Sequence, residues 1–199
     1  MRSLLLIGDS ISLGYTPYLK KELEPKYNLC RGGDVAKSLL NLEAAEYSNC
    51  GDSVKVINIL KNEIDNGNYY DALLINCGLH DIRRTREMYL IQIQVPIDSY
   101  KENLIEILKL SKMISNKVIW ITTTPVIDSI HNNREVGYLR YNSDVIQYNE
   151  VAKDVFKKEI LIDLYDYIDK CNLYKYCDHV HFIDEVYKLQ AKFISEFLL

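Results

Sequence analysis

The chain has 199 residues and a mass of 23.2 kDa, the size of one domain, and its 48% hydrophobic and 26% charged residues exclude disordered, collagen-like and membrane-bundle proteins. Twenty-four basic against 28 acidic residues leave a net charge of −4, so no overall field draws the protein to nucleic acid or anionic lipid. Tyrosine is over-represented at 16, beside one Trp and four Phe; its flat ring with a polar tip suits a polar-rimmed groove, and a compositional bias explains it equally well.

Taken in chain order, short apolar runs alternate with longer helical patterns. Residues 4–7 (LLLI) read as the first strand, too short for the core of a signal peptide, so a cytoplasmic location is expected. A helix follows over 15–23, a weak strand over 27–30, and helices over 35–47 and 54–66. Next come a strand over 72–76, a helix over 99–114, a strand over 118–122, a helix over 143–157, a strand over 160–163 and a final helix over 185–199. The runs LLLI, ALLIN and VIWIT are continuous rather than alternating, the pattern of parallel strands covered on both faces. With right-handed crossovers, five such strands form a three-layer α/β/α sandwich, a flavodoxin-like doubly wound sheet of order 2-1-3-4-5. One domain accounts for residues 1–199, and ligands are expected beyond the carboxyl ends of the strands. Residues 83–96 and 125–142 follow strand ends without clear periodicity and are the expected substrate loops. The five cysteines are odd in number with no pair two residues apart, so reduced thiols are expected, with Cys171 and Cys177 the one weak candidate for a bridge.

The candidate chemistry lies at strand ends. Ser10 stands where the first strand turns into a helix, at that helix's positive end, with Gly8 permitting the turn and Asp9 able to hold the loop through backbone amides. By themselves these residues describe an ordinary helix cap. Near the other end of the chain, Asp178 and His181 are three residues apart, close enough for the carboxylate to fix the imidazole in one tautomer. Gly78 and His80 follow the central strand and can offer a backbone N–H and a side-chain donor to an oxyanion; Gly32 and Gly33 offer further amides after the second strand.

These four pieces, in this order, resemble the GDSL or SGNH hydrolase superfamily over residues 7–182. The stretches GDSISLGYTP, GLHD, TTTPV, YNEVA and HVHF look like a bacterial subgroup of small esterases, many of them associated with carbohydrates. The resemblance implies a serine esterase that removes a short acyl group, most simply acetyl, from a hydroxylated substrate such as a sugar. It implies Ser10 as nucleophile, His181 as base and Asp178 as its orienting acid, with the Ser10 and Gly33 amides and His80 as oxyanion donors, and with no metal or organic cofactor. His80 departs from the family's G-x-N-D, and Arg31 stands where the family often has Asn before the glycine. A neutral His80 could donate from one ring nitrogen, and a charged one would strengthen the role.

Other readings of the same residues stay open. Cys177, Asp178, His179 and His181 could hold a metal, but His80 and His131 stand apart as further ligands, and His179 is expected at the rim. Arg83, Arg84 and Arg86 could bind an anionic substituent such as a uronate or sialate carboxylate, or form a solvated loop. Tyr138 and Tyr141, beside Arg140 and Asn142, are groove candidates, whereas Trp120, Tyr69 and Tyr70 read as packing. The expected partners are a small-molecule or saccharide ester, with Gly78, Arg83, Tyr138 and Arg140 binding it, and neither nucleic acid nor membrane. A lysophospholipase or thioesterase of the same fold, or a non-catalytic carbohydrate- or partner-binding member, are the alternatives. No GK[ST] or G-x-G-x-x-G follows a strand, which excludes the common nucleotide-binding loops.

Overall fold

The computed structural model describes residues 1–42, 48–85, 92–134, 137–173 and 175–199. Its elements, in chain order, are β1 (Arg2–Ile7), α1 (Ser10–Leu23), β2 (Tyr27–Cys30), α2 (Val35–Leu40), α3 (Ser53–Asp65), β3 (Ala72–Ile75), β4 (Arg84–Thr85), α4 (Ile97–Ile114), β5 (Val118–Ile121), α5 (Asp128–His131), β6 (Tyr138–Leu139), α6 (Asn142–Val155), β7 (Ile160–Ile162), α7 (Leu164–Asp169) and α8 (Asp184–Ser195).

Five strands form one parallel sheet in the order β2-β1-β3-β5-β7, which is 2-1-3-4-5 when only the sheet's own strands are counted. The continuous apolar runs are buried on both faces, as a parallel sheet requires: Leu4, Leu6, Leu73, Leu74, Ile119 and Trp120 are all inaccessible, and Trp120 stacks on Phe156 with ring centroids 4.3 Å apart. Helix α1 packs on α8, while α4 packs between α3 and α6, so the sheet is sandwiched by helices. None of the described helices is long and apolar enough to cross a membrane.

Three local differences from the sequence reading have physical causes. Helix α1 begins at Ser10 rather than near Tyr15, because Asp9 caps it: its carboxylate accepts from the amides of Ile11 and Ser12. Helix α2 ends at Leu40, and the remainder of the expected helix, residues 43–47, lies outside the described residues. The two irregular segments after β3 and β5 pair with each other: β4 and β6 form a two-stranded antiparallel ribbon, Arg84 opposite Leu139 and Thr85 opposite Tyr138. Pairs this short, and helices of four and six residues such as α5 and α7, carry too few residues to show a period.

The tyrosine excess is largely packing. Tyr15, Tyr27, Tyr100, Tyr148 and Tyr187 are buried, with Tyr148 donating to the Val95 carbonyl (2.6 Å) and Tyr100 to that of Cys77 (3.0 Å). Tyr70 donates to Glu63, but Tyr69 is 56% exposed and does not pack as expected. All five cysteines are free, Cys171 and Cys177 included.

Candidate active site

Ser10 opens helix α1 directly beyond the carboxyl end of β1, and the turn leaves no room for a larger residue before it. A Cβ on Gly8 would lie 2.6 Å from the Ser12 hydroxyl, so glycine is needed here for close approach. The last loop of the chain folds back over this end of the sheet and places His181 Nε2 2.9 Å from Ser10 Oγ. On the far side of the ring, His181 Nδ1 lies 2.6 Å from Asp178 Oδ2. Asp178 is itself fixed, its Oδ1 accepting from the amides of Val180 (2.8 Å) and His181 (2.7 Å). Partial burial alone would raise its pKa, but the hydrogen bonds from the His181 ring and the two amides overcome burial and hold it well below the usual carboxylate range. An ionised carboxylate only accepts, so Nδ1 of His181 carries the proton and Nε2 is left to accept from the serine hydroxyl. Residues 171 positions apart in sequence are thus joined in one hydrogen-bonded chain, serine to histidine to aspartate.

His80 lines the same small pocket as Ser10 and His181, where Leu42, Leu79 and Val180 supply the apolar wall. Burial, and then the nearby charges of Arg83 and Arg140, push its pKa well below the usual histidine value, so the ring is neutral. The charged form considered from sequence is thereby removed. Gly78 does not line this pocket: its φ is +149° and a Cβ would run into the Thr123 hydroxyl, so glycine serves there to let β3 and β5 ends meet. Thr123 is locked in turn by Asn149, which accepts from its amide and donates to its carbonyl, both at 2.8 Å. The TTTPV and YNEVA stretches therefore frame the site rather than enter it. Gly32 and Gly33, the latter with φ +78°, are exposed and line a neighbouring cleft with Cys50 and Ile59.

Arg31 was read from sequence only as a departure from the usual Asn, and the structure gives it work. Its guanidinium reaches the carbonyls of Gly8 (2.5 Å), Asp9 (3.2 Å) and Ser48 (2.9 Å), and the hydroxyl of Ser12 (2.8 Å). The Ser48 hydroxyl continues to the Gly32 carbonyl at 2.5 Å. One cation thus ties the turn that carries Ser10 to the glycine loop after β2. No periodicity or motif in the sequence marks such a role.

Tyr138 is not in the wall of the pocket; its ring supports two cations that are. The Arg83 guanidinium carbon lies 4.4 Å and that of Arg140 5.0 Å from its centroid. Arg140 is buried and donates from Nε to the Leu79 carbonyl at 2.6 Å. Arg84 pairs with Asp144 through both Nε (2.8 Å) and a terminal nitrogen (2.7 Å), while Arg86 lies outside the described residues. Tyr141 is at the surface with Arg84 over its ring.

Two expectations about histidines are corrected. His179 is not at the rim but 1% exposed, and His131 does not stand apart, since its Nδ1 lies 2.6 Å from Nδ1 of His179. The ligand-capable atoms of Asp178, His179 and His181 lie within 4.8 Å of one another, yet Asp178 and His181 are bonded to each other and His179 to His131.

No protein-family model matches the chain, and no curated protein matches it by sequence. Solved structures do match in fold. An acetyl xylan esterase, AlAXEase, aligns over 99% of this chain and 100% of its own at 16% identity and a TM-score of 0.69. A GDSL-like lipase from Bacteroides thetaiotaomicron aligns over 99% of this chain and 87% of its own at 16% identity and 0.70. The acetylxylan esterase Axe2 of Geobacillus stearothermophilus aligns over 98% and 93% at 16% identity and 0.66. The fold is shared with these proteins. At such identities the likeness is one of architecture, and the chemistry has to be argued from the side chains of this chain.

Proposed function

We propose that the protein is a serine ester hydrolase of the GDSL/SGNH type, acting on a short acyl ester of a hydroxylated substrate such as a sugar. The observation that carries this reading is the unbroken chain from Ser10 Oγ through His181 to Asp178, at 2.9 and 2.6 Å.

In the proposed reaction, His181 Nε2 takes the Ser10 proton as Oγ attacks the ester carbonyl, and Asp178 stabilises the imidazolium. The oxyanion rests against the Ser10 amide at the start of α1, the neutral His80 ring and, as the third donor of the proposal, the Gly33 amide. Collapse of the intermediate breaks the bond to the alcohol, which leaves with the proton from His181. The acyl-serine is then hydrolysed by a water that gives its proton to the same base, and Ser10 is restored.

The tight pocket walled by Leu42, Leu79 and Val180 favours a short acyl group over the long chain of a lysophospholipid. Acetyl xylan esterases among the structures of like fold are consistent with a saccharide ester. Ser10→Ala should lower hydrolysis of p-nitrophenyl acetate by several orders of magnitude while the protein keeps its fold; undiminished turnover would overturn the reading. Wild-type protein that hydrolyses no ester or thioester but binds glycans would support a binding module instead.

A further inference from the structure

Two neighbouring arginines after the third strand have opposite fates. Arg84 is fully engaged, its fork closed on the Asp144 carboxylate. Arg83 points the other way, into the pocket that holds Ser10 and His181. Its Nε is sealed from solvent and has no hydrogen-bond partner, and among the described residues no acid pairs with it. A buried donor without an acceptor is costly, the more so on a charged group, so one kept beside a reactive centre is suited to take its acceptor from a ligand.

The surroundings match that reading. The Arg83 guanidinium lies over the Tyr138 ring, which also faces Arg140, so both cations are placed before anything binds. Arg140 lines the same pocket, and among the described residues no carboxylate does: Asp178 lies behind His181 and is occupied by it. After burial, the charges of the same two cations help to keep His80 neutral. A planar guanidinium with an open edge is the natural partner of a carboxylate.

We infer that the substrate carries a carboxylate as well as the scissile ester, and that Arg83, with Arg140 beside it, holds that carboxylate next to Ser10. This rests on the serine esterase reading. The carboxylate can belong to the alcohol, as in an O-acetylated uronic acid, or to the acyl group, as in a dicarboxylic half-ester; the recognition chemistry is the same.

The test uses matched acid and carboxamide pairs with the full-length protein. One pair is an O-acetylated methyl glucuronoside and its uronamide; the other is monophenyl succinate and phenyl succinamate. Wild-type kcat/KM should favour the acid by about tenfold or more in one of the two pairs, and the pair that responds identifies which side carries the charge. Arg83→Gln should bring that ratio close to one, and Arg83→Lys should restore part of it. Ratios within twofold in both pairs for the wild type, a measurement independent of how any variant folds, would overturn the inference. So would a preference for the acid that survives in Arg83→Gln. Hydrolysis of the amides that disappears in Ser10→Ala sustains the esterase reading whatever the ratio. A wild type that hydrolyses no member of either pair overturns both.

Discussion

The ring of Tyr187 lies where a side chain on Gly14 would have to go. This contact joins helix α1, which begins with Ser10, to helix α8, which begins at Asp184, three residues after His181. The Tyr187 hydroxyl also accepts from the Phe182 amide at 3.4 Å, so the same side chain braces the loop that carries the base. The spacing between Ser10 and His181 is therefore set by a helix–helix contact as well as by their own hydrogen bond.

Gly14→Ala should force α1 and α8 apart. Overpacking of this kind costs about 1–3 kcal/mol, read as a lower midpoint of urea unfolding. Because Ser10 and His181 move with their helices, kcat should fall as well. Shrinking the ring in a Gly14→Ala/Tyr187→Leu double variant should recover part of the stability, and full additivity of the two substitutions would contradict the account.

Arg31→Ala removes the donor shared by the carbonyls of Gly8, Asp9 and Ser48. A loss of about 2–4 kcal/mol is expected from the unsatisfied groups left behind. Turnover should drop through kcat more than through KM, since the turn carrying Ser10 loosens while the pocket wall does not. Lysine lacks the fork and should rescue only part of either effect, as parallel unfolding and kinetic measurements would show.

Asp178→Asn should leave the fold in place and lower kcat by ~10³–10⁴. The amide can present its N–H to His181 Nδ1, which stabilises the tautomer with the proton on Nε2, and such a ring cannot accept from Ser10. Steady-state hydrolysis of a short aryl ester measures this directly.

Buried Asp81 accepts from the Ser53 amide (2.9 Å) and hydroxyl (2.5 Å) at the start of α3, but its other oxygen has no partner. Burial outweighs these bonds and pushes its pKa up to about 7, from an ordinary 3.8. Between those values the unfolded chain has released a proton that the folded chain still holds, so stability should fall as pH rises from about 4 to about 7, by at most ~1.4 kcal/mol per pH unit from this group. Asp9, raised by its burial, acts in the same direction. Asp178, held low, matters only under more acidic conditions, where its contribution is lost as pH falls. Asp81→Asn keeps an acceptor for Ser53 but cannot ionise, so unfolding midpoints across this window should show a shallower slope.

Much of this was legible in the sequence because the signals were local. Continuous apolar runs marked the sheet and its order, and the pairs Asp9–Ser10 and Asp178–His181 marked the side chains that the fold brings together. What was not legible depends on contacts between distant segments. The Arg31 tether joins β2 to the Ser10 turn, the Arg84–Thr85 and Tyr138–Leu139 ribbon joins two loops, and the His131–His179 contact joins α5 to the last loop. None has a period or a spacing. Position 80 shows both sides: its place beside the strand end was readable, while its neutral state follows from burial and from Arg83 and Arg140, which only the fold brings near.

The most direct test of the central claim is covalent trapping of the nucleophile. A fluorophosphonate ester reacts with a serine whose hydroxyl is activated by a neighbouring base, losing fluoride and leaving a stable phosphonyl adduct. Intact-protein and peptide mass spectrometry should find one adduct, on the peptide that contains Ser10, absent from Ser10→Ala and strongly slowed in His181→Ala. A wild-type protein that forms no adduct, or that is labelled at another residue while Ser10 stays unmodified, would contradict the assignment.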